Sequence, residues 1–186
     1  ETDIIFYGDK GTMTNQVLEA LKNRRSIRKY KTEQIKDEEL NAVLEAGTYA
    51  PTGMGTQSPL MVVVQDKGTI ARLSKMNAAF TADPDGDPFY GAPTVVIVLA
   101  DSTNRNGFAD GCLVMGNLMN AAYSIGLGSC WINRAREMFD TVEGRKMLRG
   151  WGVEDKYVGV GSCILGYADC PHPEAKPRKE GYVIRT

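Results

Sequence analysis

A cluster of basic and hydroxyl side chains near the start of the chain has the clearest chemical potential. The run Arg24-Arg25-Ser26-Ile27-Arg28 places three guanidinium groups and one hydroxyl close together. Arginine forms paired hydrogen bonds with phosphate oxygens, and a serine hydroxyl can bond to a polyol. The cluster therefore predicts a phosphate-containing ligand. The same residues also fit a solvated surface at the negative end of a helix, so both interpretations stay open.

A second basic group lies near the other end of the sequence, at Lys176, Arg178 and Lys179. The rest of the chain is balanced, because 22 Lys and Arg face 23 Asp and Glu for a formal net charge of -1. Two separate basic clusters in such a chain favour an anionic ligand. The near-neutral total argues against a protein dedicated to nucleic-acid binding.

Residues suited to nucleophilic or metal chemistry are scarce. A Ser–His or Cys–His dyad would depend on His172, which lies between two prolines, so a surface-loop histidine is the simpler interpretation. The cysteines at positions 112, 130, 163 and 170 show neither C-x-x-C spacing nor a pairing pattern. We therefore expect no metal site, buried hydrophobic roles for Cys130 and Cys163, and a reducing, cytoplasmic compartment.

Hydrophobic periodicity and turn residues divide the chain into helices and strands. A length of 186 residues corresponds to one domain, 1–186. No stretch approaches the ~20 apolar residues of a membrane span. The order of elements fits a three-layer α+β sandwich or a doubly wound α/β sheet. The predicted helices are 14–23, one from Asp37 to a C-terminal Gly47, 69–77, 108–125 and 141–149, and the predicted strands are 60–64, 94–99, 130–132 and 157–165.

Two elements and three aromatic side chains carry further expectations. The continuous apolar run 94–99 should be buried on both faces of a sheet. Helix 108–125 is apolar almost all round, which places it in the core or at a subunit interface. We expect Trp131 to fill the core, and Phe89 and Tyr90 to anchor the polar loop that precedes them.

Four segments, in order and at suitable intervals, resemble the FMN-dependent nitroreductase family. The first is the Arg24–Arg28 run. The second, Ala50-Pro51-Thr52-Gly53-Met54-Gly55-Thr56-Gln57-Ser58-Pro59, is similar to the A-P-S/T-x-x-N-x-Q-P loop of that family. The third is Gly126-Leu127-Gly128-Ser129-Cys130-Trp131-Ile132 after a long helix, and the fourth is Gly166-Tyr167 with its Pro/Lys/Arg tail. The likeness covers nearly the whole chain.

The resemblance implies FMN as cofactor and assigns three groups of residues to it. One group holds the phosphate, ribityl chain and pyrimidine edge, a second comes from the partner subunit, and a third lines the isoalloxazine ring near N5. No protein residue needs to be catalytic, because the flavin carries the chemistry. The groups are, in turn, Arg24, Arg25, Ser26 and Arg28 with Lys176, Arg178 and Lys179 at the phosphate; Pro51, Thr52, Gly53, Met54 and Gln57; and Cys130, Trp131, Ile132 and Asn133.

Two positions depart from the family pattern. Gly55 stands where the family loop has asparagine, so one side-chain contact to the flavin is lost. Asn133 stands where relatives often have glycine or an acid–glycine pair. Both changes affect the expected contacts of the ring and the expected substrate preference.

The resemblance also implies an architecture and an activity. We expect an α+β protein, a three-layer α/β/α sandwich with a mainly antiparallel central sheet, that forms a homodimer with its tail, about 171–186, reaching the partner subunit. NADH or NADPH would reduce FMN, and a small nitroaromatic or quinone acceptor would then reoxidise it in a ping-pong scheme. No nucleic acid or membrane would take part. Alternatives on the same scaffold are reductive dehalogenation, flavin-dependent dehydrogenation and a non-catalytic flavin-binding module.

Overall fold

The computed structural model describes residues 6–7 and 13–186 and contains the predicted alternation of helices and strands. The predicted strands and helices lie within about two residues of their predicted bounds, whereas β1, β2 and α5 were not predicted. Among the described residues, no helix is both long and apolar enough to cross a membrane. The elements are β1 Phe6–Tyr7, β2 Met13–Thr14, α1 Gln16–Asn23, α2 Asp37–Thr48, β3 Leu60–Val64, α3 Lys67–Ala78, β4 Thr94–Asp101, α4 Gly107–Ser124, β5 Gly128–Ile132, α5 Ala135–Asp140, α6 Val142–Gly150 and β6 Tyr157–Gly166.

The central sheet has the strand order β3-β4-β6-β5. All three neighbouring pairs are antiparallel, with Val62 opposite Ile97, Val96 opposite Cys163 and Cys130 opposite Ile164. An antiparallel sheet excludes the doubly wound alternative, which requires parallel strands. β1 and β2 pair only with each other.

β4 forms the centre of the core and is buried on both faces, as its apolar run predicts. Val95, Ile97 and Leu99 face one hydrophobic cluster, and Val96 and Val98 face the other. Successive side chains of a strand point to opposite faces, so one continuous apolar run serves two cores.

Helices cover both faces of the sheet and complete the three predicted layers. On one face, Leu73 of α3, Phe139 of α5 and Leu148 of α6 pack against β4 and its neighbours. On the other face, Val43 of α2 and Leu118 of α4 are fully buried. The apolar helix expected at 108–125 is α4. One side of α4 packs against the sheet, which confirms its predicted place in the core.

Two local predictions are wrong. Gly47 does not end α2, which continues to Thr48. A Cβ at position 47 would lie 2.9 Å from Leu118 Cδ2, so this glycine allows α2 and α4 to pack closely. The sequence analysis also missed α5, because six residues are too short to show helical periodicity.

The segment that carries the arginine cluster is bound to the sheet through its backbone. Ile27 N donates to Ser129 O at 2.9 Å, at the start of β5. A few residues later, the segment pairs with the residues that follow β6. Lys31 N donates to Tyr167 O, and Asp169 N donates to Lys29 O, both at 2.9 Å. The arginine cluster therefore lies along two strands of the central sheet.

Ile27 and Tyr30 are the apolar anchors of this segment, and two glycines make room for them. Both side chains are buried, and Tyr30 Oη donates to Ile27 O at 2.7 Å. Burial also raises the pKa of the Tyr30 phenol far above its ordinary value. A Cβ at Gly128 would lie 3.1 Å from Ile27, and one at Gly166 would lie 2.9 Å from Tyr30 and 2.8 Å from Pro93.

Replacing Gly166 with alanine should destabilise the protein by about 1–3 kcal/mol, because the added methyl group overlaps Tyr30 and the ring of Pro93. Urea unfolding followed by circular dichroism measures the change. Gly150→Ala is the matched control, since a Cβ there has no neighbour within 4 Å. Equal unfolding midpoints for the two variants would contradict this account of Tyr30 anchoring.

Candidate functional site

A cavity of about 210 Å³ lies at the C-terminal end of β5. The structure brings together Arg28 and the whole of Cys130–Asn133 there, as the resemblance implies. The remaining wall comes from α3, the loop before β4 and the residue that follows Asn133. These additional lining residues are Asn77, Thr81, Pro88, Tyr90 and Arg134.

The other members of the arginine cluster lie next to this cavity on the same backbone segment. Arg24 is the C-terminal cap of α1, and Ser26 forms a parallel bridge with Ser129 of β5. Arg25 Nη1 donates to the carbonyl oxygens of Lys22 at 2.9 Å and Arg24 at 2.7 Å. Its guanidinium thus meets the negative end of α1, which is the structural role that the sequence had left open.

β5 directs its side chains to both cores and brings its last residue to the cavity. Cys130 and Ile132 are buried in the cluster beneath α3, α5 and α6. Trp131 packs in the opposite cluster, where a Cβ at Gly161 would lie 2.6 Å from Trp131 Nε1. Trp131 therefore packs against the core as expected, although it is only partly buried and also lines the cavity, and Asn133 and Arg134 are exposed just beyond the strand end.

The cysteines behave as small hydrophobic side chains. Cys130 and Cys163 are buried on neighbouring strands, and all four cysteines are free. Burial raises the pKa of the Cys163 thiol to about 12. A thiol with that pKa is protonated near neutral pH, so Cys163 is not a nucleophile.

Asn77 is a site residue that the sequence analysis missed. It belongs to α3 and is 1% exposed. Its Nδ2 donates to Asn133 O at 2.7 Å, while no described residue forms a hydrogen bond with its Oδ1. Buried amide oxygens are rarely left without a donor, so Asn77 offers an acceptor to a ligand in the cavity. A polar residue among apolar positions of α3 is the only sequence signal that could have identified it.

The loop from Pro51 to Gln57 lies elsewhere, at the N-terminal end of α4, and none of its residues lines this cavity. Gly53 N donates to Asp110 Oδ1 at 2.9 Å, and Gln57 N donates to Thr52 Oγ1 at 3.0 Å. Met54 is 99% exposed. The loop is therefore held on one side by α4 and presents its other side to the surroundings.

The basic tail is extended and exposed. His172 Nε2 lies 2.8 Å from Asn23 O, at the end of α1, which brings the start of the tail beside the arginine cluster. Further along, Arg178 donates to Lys176 O, and the Lys179 ammonium lies 5.2 Å from the Tyr182 ring centre. These contacts stay within the tail.

Left-handed backbone conformations of non-glycine residues occur in two places, the 51–57 loop and the cavity. Among the described residues, four non-glycine residues have a left-handed backbone: Met54, Gln57, Tyr90 and Arg134. Two belong to the 51–57 loop and two line the cavity. Left-handed conformations are costly for such residues and tend to persist at functional sites, where the surrounding structure enforces them.

Asp110 should be the residue that fixes the 51–57 loop. Asp110→Ala removes the acceptor for Gly53 N, so amide hydrogen exchange at Gly53 should become at least about tenfold faster, as expected for a lost hydrogen bond. Asp110→Asn keeps a carbonyl oxygen at Oδ1 and should retain slow exchange. Unchanged exchange at Gly53 in the alanine variant would contradict this assignment.

Comparison with known proteins agrees with this geometry. The family model described as the nitroreductase family matches residues 21–167. A crystal structure of a Bacteroides fragilis nitroreductase with bound FMN superimposes with a TM-score of 0.85 at 32% identity, covering 93% of this chain and all of the other. An FMN-dependent nitroreductase from Clostridium difficile gives a TM-score of 0.84 at 27% identity over 92% of this chain and 99% of that one.

A curated relative extends the likeness to proteins named for nicotinamide-dependent activity. The Archaeoglobus fulgidus protein, provisionally named an NADH dehydrogenase/NAD(P)H nitroreductase, is 30% identical over 82% of this chain and 85% of its own length. The family match covers most of the chain. The matched residues include the four strands of the central sheet, the arginine segment and the cavity at the end of β5. The chain belongs to the nitroreductase family.

Proposed function

We propose that this protein is an FMN-dependent NAD(P)H oxidoreductase that reduces a small nitroaromatic or quinone acceptor. The observation that carries the proposal is the meeting of Arg28, Asn77 and Asn133 at one cavity. In a family whose solved members include FMN complexes, such a cavity is the natural place for the flavin ring.

The residues present fit FMN. The buried Asn77 Oδ1 lacks a donor among the described residues, and the N–H groups of a flavin ring can supply one. Arg28 would hold the pyrimidine edge, where its positive charge favours the uptake of electrons by the ring. Asn133 and the end of β5 would line the central part of the ring.

The phosphate requires cations, and two segments can supply them. Arg24 and Ser26 lie on the fixed segment beside β5. Arg25 would add a third donor group through the N–H groups that do not bond to the end of α1. Lys176, Arg178 and Lys179 lie on a tail whose beginning is held beside α1 by His172. Guanidinium and ammonium groups from both segments would balance the charge of the phosphate.

Bound FMN supplies the redox chemistry, because it can take a hydride from NAD(P)H and give two electrons to an acceptor. The overall exchange balances: NAD(P)H, one proton and a quinone yield NAD(P)⁺ and a hydroquinone. The chain's own part is to bind and orient. No described group of residues could hold a metal ion, and the Cys163 thiol is buried and protonated.

A homodimer would complete the site. No residue of the 51–57 loop lines the cavity of its own chain, and the loop is instead held at the N-terminal end of α4. α1 contacts α4, and both helices expose large apolar side chains, including Val17, Leu21 and Phe108. Exposed apolar surface of this kind is typical of a subunit interface. We propose that each loop reaches the cavity of the partner.

Arg24→Ala and Arg28→Ala should each weaken FMN binding by about tenfold or more, the expected loss of a charge-assisted hydrogen bond. Fluorescence titration of apoprotein with FMN measures the dissociation constant. Lys29→Ala is the control, because it removes a neighbouring cation whose partner is the exposed Asp169. FMN binding that is unchanged in both arginine variants, or absent from the native protein, would contradict the proposed site.

Turnover distinguishes the proposed enzyme from a flavin-binding module. The bound flavin should lose its yellow colour with NADH or NADPH under anaerobic conditions and regain it with menadione or a nitrofuran. A ping-pong enzyme should give parallel double-reciprocal lines for donor and acceptor. Bound FMN that no nicotinamide can reduce would favour the non-catalytic alternative.

Co-expression of two differently tagged variants tests whether the site is shared between subunits. Arg28→Ala removes the contribution of one chain, and Gln57→Ala removes the contribution proposed for the other. Random assembly makes half of the dimers mixed, each with one intact site, so about a quarter of the native FMN sites should return. If each site is built from a single chain, no sites should return.

A further inference from the structure

Two residues that line the cavity, Tyr90 and Arg134, have no role in the FMN contacts proposed above. Tyr90 and Arg134 line the same cavity but come from different parts of the chain, the loop before β4 and the connection from β5 to α5. Both have a left-handed backbone, with φ values of 54° for Tyr90 and 75° for Arg134. This inference rests on the function proposed above and concerns which acceptors the site selects.

Tyr90 is held firmly by its neighbours on both sides. Asp87 accepts hydrogen bonds from Phe89 N at 2.9 Å, from Gly91 N at 2.7 Å and from the Ser74 hydroxyl of α3 at 2.6 Å. Phe89 is buried at 1% exposure, whereas Tyr90 is 41% exposed. The sequence-based expectation of anchoring is thus correct for Phe89, whereas Tyr90 is partly exposed and lines the cavity.

Arg134 is positioned but only partly engaged. Its Nη1 donates to Glu137 Oε1 at 2.8 Å, which uses one of the five N–H donors of a guanidinium. The side chain is 50% exposed. Within the part of the chain that the structure describes, its other donors have no partner, so they can bind a ligand that enters the cavity.

The charge of the residues that line this cavity favours an anion, while Asp83 and Asp87 line a neighbouring cavity on the other side of Tyr90. Among the described residues that form the cavity, two are arginines and none is Asp or Glu. Arg28 is the residue we assign to the flavin, so Arg134 is the cation left for another ligand. Glu137, which pairs with Arg134, balances part of the Arg134 charge but does not line the cavity.

We propose that Tyr90 and Arg134 form an acceptor subsite that selects a planar aromatic molecule with an anionic substituent such as a carboxylate. The Tyr90 ring provides a flat apolar surface on which the acceptor stacks, and the Arg134 guanidinium binds its carboxylate. With a nitroaromatic acceptor, NAD(P)H and one proton convert the nitro group into a nitroso group and water, and NAD(P)⁺ is released.

Two acceptors of nearly equal shape test this preference. Holoenzyme that has been reduced anaerobically is mixed with 4-nitrobenzoate or with neutral 4-nitrobenzamide, and flavin reoxidation is followed in a stopped-flow instrument. The readout is the ratio of the two second-order rate constants, compared between variants because the acceptors also differ intrinsically. This design isolates acceptor binding from the negatively charged nicotinamide donor.

Arg134→Gln should lower the benzoate-to-benzamide ratio by about tenfold, the expected loss of a charge-assisted contact. Arg134→Lys keeps the charge and should retain most of the preference. The matched control is Arg136→Gln, which removes a nearby guanidinium that pairs with Asp140 and does not line the cavity. Its ratio should equal that of the native protein.

A binding measurement adds a readout that does not depend on turnover. Benzoate should bind oxidised holoenzyme more tightly than benzamide in isothermal titration, and Arg134→Gln should remove this difference. Tyr90→Leu should weaken the binding of both ligands more than Tyr90→Phe does, because only phenylalanine keeps an aromatic ring.

The outcomes separate this inference from the proposed function. An FMN-containing protein that is reoxidised by both acceptors, with the same ratio in the native, Arg134→Gln and Arg136→Gln proteins, overturns the subsite and leaves the proposed function standing. A protein that binds no FMN overturns both.

Discussion

The candidate site depends on the attachment of the arginine segment to the central sheet. Three guanidinium groups close together repel one another, and a free chain would separate them. Backbone bonds to Ser129 and Tyr167, with the buried side chains of Ile27 and Tyr30 between them, hold the segment in place. The apolar positions of the run therefore provide the fixed geometry, and the polar positions provide the ligand chemistry.

The two hydrophobic cores supply the rigidity that the site needs. β4 packs on both faces, and α3, α5 and α6 lie on the side of the sheet that carries Asn77 and the cavity. Such packing can maintain costly features, including a buried amide oxygen without a donor and the left-handed backbones of Tyr90 and Arg134. The cavity walls that this chain supplies are thus already in position, and in our proposal a ligand would satisfy polar groups that are held there.

One chain contains only part of the arrangement that we propose. Its cavity includes Arg28 and the end of β5, while neither the strained 51–57 loop nor the exposed basic tail lines it. In our proposal a second copy, with its loop fixed by Asp110 and α4, would offer the missing wall. Sharing a site in this way would make flavin binding and dimer formation mutually stabilising, since each adds contacts that the other requires.

The sequence by itself determined the layers and pointed to the segments that we propose bind the cofactor. The continuous apolar run of β4, the long apolar α4 and the arginine run are local patterns, and local patterns follow from the spacing of apolar and charged residues. Periodicity alone could not decide between antiparallel and parallel strands, because an apolar run buried on both faces fits either; the family resemblance implied the mainly antiparallel sheet that the structure confirms. Only the tertiary structure showed that Gly47 and Gly166 serve close packing and that Asn77, Tyr90 and Arg134 share a cavity with Arg28. These residues are distant in sequence, and their contacts arise only when the sheet brings their separate segments together.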